Sequence, residues 1–475
     1  MKQQTFLSAF IPILFLILLL SLNVYLYGDN ALSGANQLAL LLSAALAAVI
    51  GIKNGFKWKE ILDGVSKSIS STTPAILILL LIGSLSGTWL ISGIVPTMIY
   101  YGLQILHPNI FLVAACLICA LVSLASGSSW STIATVGIAL LGIGNALDIS
   151  EGLVAGAIIS GAYFGDKMSP LSDTTNLASA MAETDLFTHI KYMMYTTLPT
   201  FIITLLIFLF IGLSFDSSLN VENINNLLFA IEESFVISPW LFLVPLIVLL
   251  LIIKKVPALP SLLIGTLLGG IFAIFFQKEL IVQLSGIEGN FLKSSYISII
   301  NAMGTSTSID SSNDIINNLL STGGMYGMLN TIWLILCAMT FGGVMESTLA
   351  LKKISHSIIQ YAHNTGSVIA TTASTCIFFN LTASDQYLSI VVPGRMYSNT
   401  FKEKNLAPEN LSRTLEDSGT VTSVLVPWNT CGATQSAILG VATLSYLPYC
   451  FFNLISPIMT ILYGYLNLRI RRINA

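Results

Sequence analysis

Twelve long apolar runs follow one another along this 475-residue chain and dictate what it can fold into. They are Phe6–Tyr27, Ala31–Ile52, Thr73–Ile94, Asn109–Ala125, Glu151–Ala182, Ile190–Leu213, Pro239–Ile253, Ala258–Phe276, Met325–Leu349, Thr365–Leu381, Leu411–Val441 and Thr443–Leu468. Crossing a bilayer core takes about 20 apolar residues. In hydrocarbon every backbone N–H and C=O must find a partner within the protein, so such runs fold as helices. Only 9% of the residues are charged, against about 25% in a soluble domain. The chain is therefore an all-α polytopic membrane protein. The first run is long and lacks a small-residue cleavage site, so it reads as a span and not as a signal peptide.

Several function classes drop out. A net charge of −3 gives no electrostatic basis for binding nucleic acid. The six cysteines sit mostly inside apolar runs, and Cys116 and Cys119 read as helix-packing residues, not as a redox or metal pair. The four histidines do not cluster, so no transition-metal site is encoded. No phosphate-binding P-loop, Ser-His-Asp grouping or zinc motif is present, so neither ATP drive nor hydrolytic chemistry is indicated, and no cofactor is expected.

The two halves of the chain correspond at a constant offset of 257 residues. Ser126–Ile133, SGSSWSTI, maps onto Ala383–Ile390, ASDQYLSI; Gly137 maps onto Gly394; and Pro170, which breaks the run 151–182, maps onto Pro427, which breaks 411–441. Charge then orients the spans. Lys53, Lys57, Lys59 and Lys67, Lys254 and Lys255, Lys352 and Lys353, Lys402, Lys404 and Arg413, and Arg469, Arg471 and Arg472 all flank runs and belong in the cytoplasm by the positive-inside rule. Twelve full spans would put some of these clusters on the wrong side. Treating 109–144 and 365–400 as re-entrant hairpins, turning at Ser126–Trp130 and Ala383–Tyr387, places every cluster inside. The expected architecture is about ten spans in two inverted five-span repeats, each with a re-entrant hairpin and a broken helix. Residues 1–215 form the first repeat, with its broken helix at 151–182. An external acidic linker covers 216–238. Residues 239–475 form the second repeat, with its broken helix at 411–441. Both termini are then cytoplasmic. The polar segment Lys278–Gly324 reads as an extramembrane loop with an amphipathic piece.

Gly161–Ala178, GAYFGDKMSPLSDTTNLA, carries two aspartates, a lysine, a proline and a Ser/Thr/Asn run at membrane depth. Charges there cost several kcal/mol unless paired or hydrated, and usually mark an ion or substrate path. A proline break frees carbonyls that attract cations, as do the ends of half-helices. Two half-sites follow. The first joins Ser128 and Ser129 at one hairpin tip to Asp166, Ser169, Ser172, Asp173, Thr174, Thr175 and Asn176. The second joins Asp385 at the other tip to Asn429 and Thr430 beside Pro427. Their oxygens suit a hard monovalent cation, with Na+ set against Asp166, Asp173 and Asn429. Single Ser or Thr residues in membrane helices more often just pack closely; two clusters at equivalent repeat positions, each with an aspartate, point instead to ion binding. Asp166 and Lys167 form a candidate buried pair. Asp173 can face the site or N-cap the next half-helix. Glu416 and Asp417 read as nearer the cytoplasmic end, and Glu346 as an interhelical hydrogen-bonding group or a proton relay.

FGDKMSPLSDTTNLA (Phe164–Ala178), together with PWNTCGA (Pro427–Ala433), resembles the NhaC family of Na+/H+ antiporters over essentially the whole chain. The resemblance implies sodium (possibly also lithium) export in exchange for protons across a bacterial inner membrane. Na+ and H+ would compete for Asp166 and Asp173, with Asp385 as a further carboxylate. It implies Na+, H+ and the bilayer as partners, and a homodimer, common in that superfamily. It leaves open a sodium-coupled carboxylate exchanger of the malate/lactate type on the same scaffold.

Overall fold

A computed structural model describes residues 5–27, 31, 34–215, 221–309 and 321–473. The linker read over 216–238 is described from 221 onward, and residues 310–320 of the polar segment lie outside the described residues.

The first half runs α1 (Phe6–Tyr27), α2 (Ala35–Lys53), α3 (Trp58–Ser71), α4 (Thr73–Ile91), α5 (Ile94–Ile105), α6 (Pro108–Ser126), α7 (Ser129–Ala146), α8 (Glu151–Met168), α9 (Asp173–Ala182) and α10 (Leu186–Leu213). The second runs α11 (Val221–Ser234), α12 (Leu243–Ile253), α13 (Ala258–Phe276), α14 (Lys278–Ser285), α15 (Phe291–Gly304), a short antiparallel pair of β1 (Thr307–Ser308) and β2 (Ser321–Thr322), and α16 (Gly324–Ser347). It ends with α17 (Ala350–Ile359), α18 (Thr365–Thr382), α19 (Gln386–Glu403), α20 (Pro408–Leu415), α21 (Thr430–Leu439), α22 (Thr443–Tyr446) and α23 (Phe451–Tyr465). Among the described residues eight helices are long and apolar enough to cross a membrane, and two bent helix pairs raise the number to ten. Both arms of the first hairpin, α6 and α7, are among the eight.

Helix boundaries recur along the chain at the spacing read from the sequence. Starts at 108, 129, 151, 173 and 186 are matched by starts at 365, 386, 408, 430 and 443, each 257 residues on. The turns match as well. Gly127 closes α6 at φ 70° and Ser384 follows α18 at φ 58°, while Glu183 and Gly440 share a left-handed φ after α9 and α21. Glycine takes that conformation freely and serine does not, so the second tip holds a residue in a backbone state that its surroundings must enforce.

Close approach positions these helices. The apolar effect does not drive association within lipid, so small residues and interhelical hydrogen bonds do the work. Gly161 and Gly165 of α8 lie against the backbone carbonyls of Cys116 and Ala120 on α6, leaving no space for a Cβ. Ser123 Oγ donates to the Ala162 carbonyl at 2.6 Å across the same seam. On the other side, Gly87 of α4 meets the Ala302 backbone, and Ser84 Oγ donates to the Met303 carbonyl at 3.1 Å. Within the polar segment 278–324, α15 is a helix that packs directly on α4. Gly87 and Ala302 let the two backbones meet, while Ser294 and Ser298 tie α15 to α14 by donating to the Ile281 carbonyl at 3.2 and 2.8 Å.

Among the described residues two large apolar cores and two minor clusters result, and the two large ones frame the fold. The larger gathers α4 to α8 with parts of α10, α12 and α13 and the segment around Val421–Cys431. The smaller is built from α1, α2, α16 and α17, and reaches Phe379 and Ala383 at the second hairpin tip.

Candidate cation site

The first broken helix is stitched across its gap by its own polar residues, and the second is capped at its break and tied to α18. In the first, α8 stops before Pro170 and Ser172 N-caps α9 by accepting from Thr175 N. Thr175 Oγ1 donates to the Lys167 carbonyl at 3.0 Å, and Asn176 Nδ2 donates to the carbonyls of Pro170 (3.0 Å) and Ser172 (2.7 Å). Ser169 Oγ accepts from Leu171 N at 3.2 Å. These bonds replace the ladder that proline removes. In the second break Asn429 N-caps α21, its Oδ1 accepting from Cys431 N at 3.0 Å, and its Nδ2 donates to Asn380.

Each hairpin tip docks on the break of its own half. Gly127 sits against Leu171. Ser129 donates to Asp166 Oδ2 twice, from its backbone N–H at 3.0 Å and from Oγ at 2.6 Å. Ser128 N-caps α7 by accepting from Ser131 N at 3.2 Å. In the second half the Thr430 N–H donates to the Ser384 carbonyl at 3.0 Å, and Trp428 Nε1 donates to the Leu381 carbonyl at 2.8 Å. Asp385 N-caps α19, accepting from Leu388 N at 2.8 Å. Both tip helices therefore point their N-termini, the positive end of the helix dipole, at a buried carboxylate. These residues, Asp166 and Asp385, do not correspond in the repeat, whose offset pairs Ser128 with Asp385.

The two half-sites open into one cavity of about 350 Å³. Asp166, Ser172, Asp173 and Thr174 from the first break and Ser128 from the first tip line it together with Asp385 and Thr430 from the second half. Among the described residues no Lys, Arg or His lines it. Asp173 is exposed to this space, and Ser172 holds the N-cap position that Asp173 was a candidate for. Ser129 lies one bond behind the cavity, on Asp166. Ser169, Thr175, Asn176 and Asn429, grouped with the cation ligands from sequence, do not line it; their polar groups close the two breaks. A carboxylate has about four acceptor positions, so the two bonds to Asp166 Oδ2 leave capacity for a cation.

Three features lay beyond the sequence reading. The junction of α3 and α4, Ser71, Thr72 and Pro74, closes one side of the cavity; the run SSTTP at 70–74 is the signal that marks it. Lys167 does not pair with its neighbour Asp166. Its Nζ forms a fully buried ion pair with Asp417, because the helix carries Lys167 away from the cavity toward α20. Thr196 Oγ1 (2.8 Å) also binds Asp417, and Ser456 Oγ lies 3.3 Å from Lys167 Nζ. Glu416 and Asp417 are thus not peripheral. They begin a π-helical turn, 416–420, with no solvent exposure, and such turns recur at functional sites. Neither Glu416 carboxyl oxygen has a hydrogen bond in good geometry, although Thr174 and Thr420 lie beside it. Glu346, at the end of α16, is exposed.

Apolar helices, two proline-broken helices and a carboxylate-lined cavity are the architecture of a membrane carrier, and the chain's relatives are named antiporters. The chain belongs to the Na+/H+ antiporter family, whose profile matches residues 161–468. It is 38% identical over 432 residues to the Na+/H+ antiporter NhaC of Alkalihalophilus pseudofirmus, covering 91% of this chain and 90% of the relative. It is 36% identical over 452 residues to the malate-2H+/Na+-lactate antiporter of Bacillus subtilis, covering 95% and 92%. It is also 36% identical over 469 residues to the arginine/ornithine antiporter ArcD of Halobacterium salinarum, covering 98% and 92%.

Proposed function

We propose that this protein exports Na+ in exchange for H+ across a bacterial inner membrane, with both ions using the cavity between the two breaks. The observation that carries the reading is the lining itself. Three aspartates and several hydroxyls face one space in which no cationic side chain appears. Such a set attracts a cation and repels a dicarboxylate, whose recognition calls for Arg or Lys. Asp166, Asp173 and Asp385 supply the charge; Ser128, Thr174 and Thr430 supply neutral oxygens. Na+ enters when the carboxylates are deprotonated, and protonation from the opposite side expels it. Glu416, behind Thr174 and with no hydrogen bond in good geometry, is a second group placed to take a proton, since a poorly satisfied buried carboxylate is costly. The test is exchange in proteoliposomes under an imposed pH step. Proton movement coupled to Na+ or Li+, and indifferent to malate, lactate, arginine and ornithine, is the expected result. Coupling that requires one of the organic solutes would replace this reading with an organic-substrate exchanger.

The repeat offset supports two five-span units of opposite orientation, with α6–α7 and α18–α19 as hairpins entering from opposite faces. Single cysteines replacing Asp148 and Lys404 are then expected to differ: on intact cells an impermeant thiol reagent labels position 148 and leaves 404 unlabelled. Equal labelling of both refutes the inversion.

A further inference from the structure

We propose that Lys191, Arg469 and Arg471 form a headgroup site for an anionic phospholipid at the start of α10. They converge on a cavity of about 450 Å³, which Thr188 and Tyr195 also line. Among the described residues no carboxylate lines it. Lys191 and Arg469 have no ion-pair partner among the described residues, and Arg471 Nη1 shares Glu409 Oε1 at 2.6 Å. The other nearby acid is Asp185, whose Oδ2 accepts from Thr188 N (2.9 Å) and Oγ1 (3.0 Å). Those bonds tie it to the helix N-terminus and hold its carboxyl below the usual carboxylate range.

A second observation points to an anion in the same place. Arg413, fully buried, lays its guanidinium 4.8 Å over the ring of Tyr192, which lines the cavity. Its Nε and Nη2 have no acceptor. Arg413 does not itself line the cavity; its Nη1 donates to the Arg469 carbonyl at 3.3 Å, and Glu409, one turn earlier, has an unpaired Oε2. The positive charge of Arg413 behind Tyr192 adds to the attraction that Lys191, Arg469 and Arg471 exert on a phosphate in front of that ring.

The surroundings select a lipid over a free anion. Below the cationic mouth, Tyr195, Leu198 and Ile202 are exposed on α10, and Ile458, Leu462 and Tyr465 on α23, which packs beside it. Spacings of three and four residues keep each set on one helix face. Basic groups above the exposed apolar faces of two packed membrane helices match a phosphodiester headgroup with its acyl chain.

Purified full-length protein titrated with phosphatidylglycerol, phosphatidylcholine or inorganic phosphate tests this, with the thermal unfolding midpoint and native mass spectrometry as readouts. Phosphatidylglycerol is expected to raise the midpoint and remain bound, and the other two are not. The double variant Lys191→Gln/Arg469→Gln should weaken that binding about tenfold or more, as two basic contacts at about 1 kcal/mol each imply. Both side chains are exposed, and the Arg469 carbonyl that accepts from Tyr192 and Arg413 is retained. Should the variant's midpoint fall without lipid, the count of bound phosphatidylglycerol on folded protein decides. Equal effects of both lipids, unchanged binding in the variant, or full stabilisation by inorganic phosphate alone would each overturn the proposal.

Discussion

Asp166→Asn is expected to abolish Na+-coupled proton movement while the protein still inserts and folds. Asparagine is nearly isosteric and still accepts from the Ser129 N–H and Oγ that now meet Asp166 Oδ2, so the first tip stays docked. What disappears is the charge that draws Na+ and the site at which a proton displaces it. Loss of a positioned proton-transfer group lowers rates by about a hundredfold or more. Asp173→Asn should have the same direction, because Asp173 faces the same cavity. Glu416→Gln separates the roles: Na+ binding is expected to persist while pH-driven exchange falls. The measurement is pH-step exchange in proteoliposomes alongside Na+ binding on the purified variants. Wild-type exchange by Asp166→Asn would remove Asp166 from the mechanism.

The second large effect concerns the pair that joins the two broken helices. Lys167 on α8 and Asp417 after α20 are both fully buried and ion-paired. Removing one partner leaves an uncompensated charge at membrane depth, worth about 3–5 kcal/mol. Lys167→Met alone and Asp417→Leu alone should each sharply lower the unfolding midpoint in detergent and the yield of folded protein. The double variant Lys167→Met/Asp417→Leu should recover most of that loss, since well-packed apolar residues replace a buried pair at little penalty. Single variants as stable as the wild type would show that the pair carries no such energy.

Much of this was legible in the chain. The proline breaks, the tips and their spacing of 257 residues are local features, written in apolar runs, Pro170, Pro427 and the small polar residues at the turns. Asp166, Asp173 and Asp385 stood out because charge is rare in such runs. What the sequence hides is partnership across distance. The partner of Lys167 lies 250 residues away, and nothing local distinguishes it from the adjacent Asp166. The acids Glu416 and Asp417 sit near Arg413 in sequence and so read as belonging to the cytoplasmic edge, yet helix packing buries all three. Asn429 and Thr430 are neighbours with ligand chemistry, and only the fold shows that Thr430 faces the cavity while Asn429 caps a helix. The packing of α15 on α4 was hidden because polar composition does not reveal the Gly87–Ala302 contact that brings the two backbones together.

The two tips are latched differently. The second is fastened main chain to main chain, from Thr430 N to the Ser384 carbonyl, and no proton within physiological reach alters such a bond. The first is fastened through a side chain that titrates, Asp166, with both bonds from Ser129 falling on one oxygen. Hydrogen bonds to an ionised acceptor are roughly twice as strong as neutral ones. A proton taken up by Asp166 therefore slackens the fastening of the first tip and leaves the main-chain bond of the second unchanged.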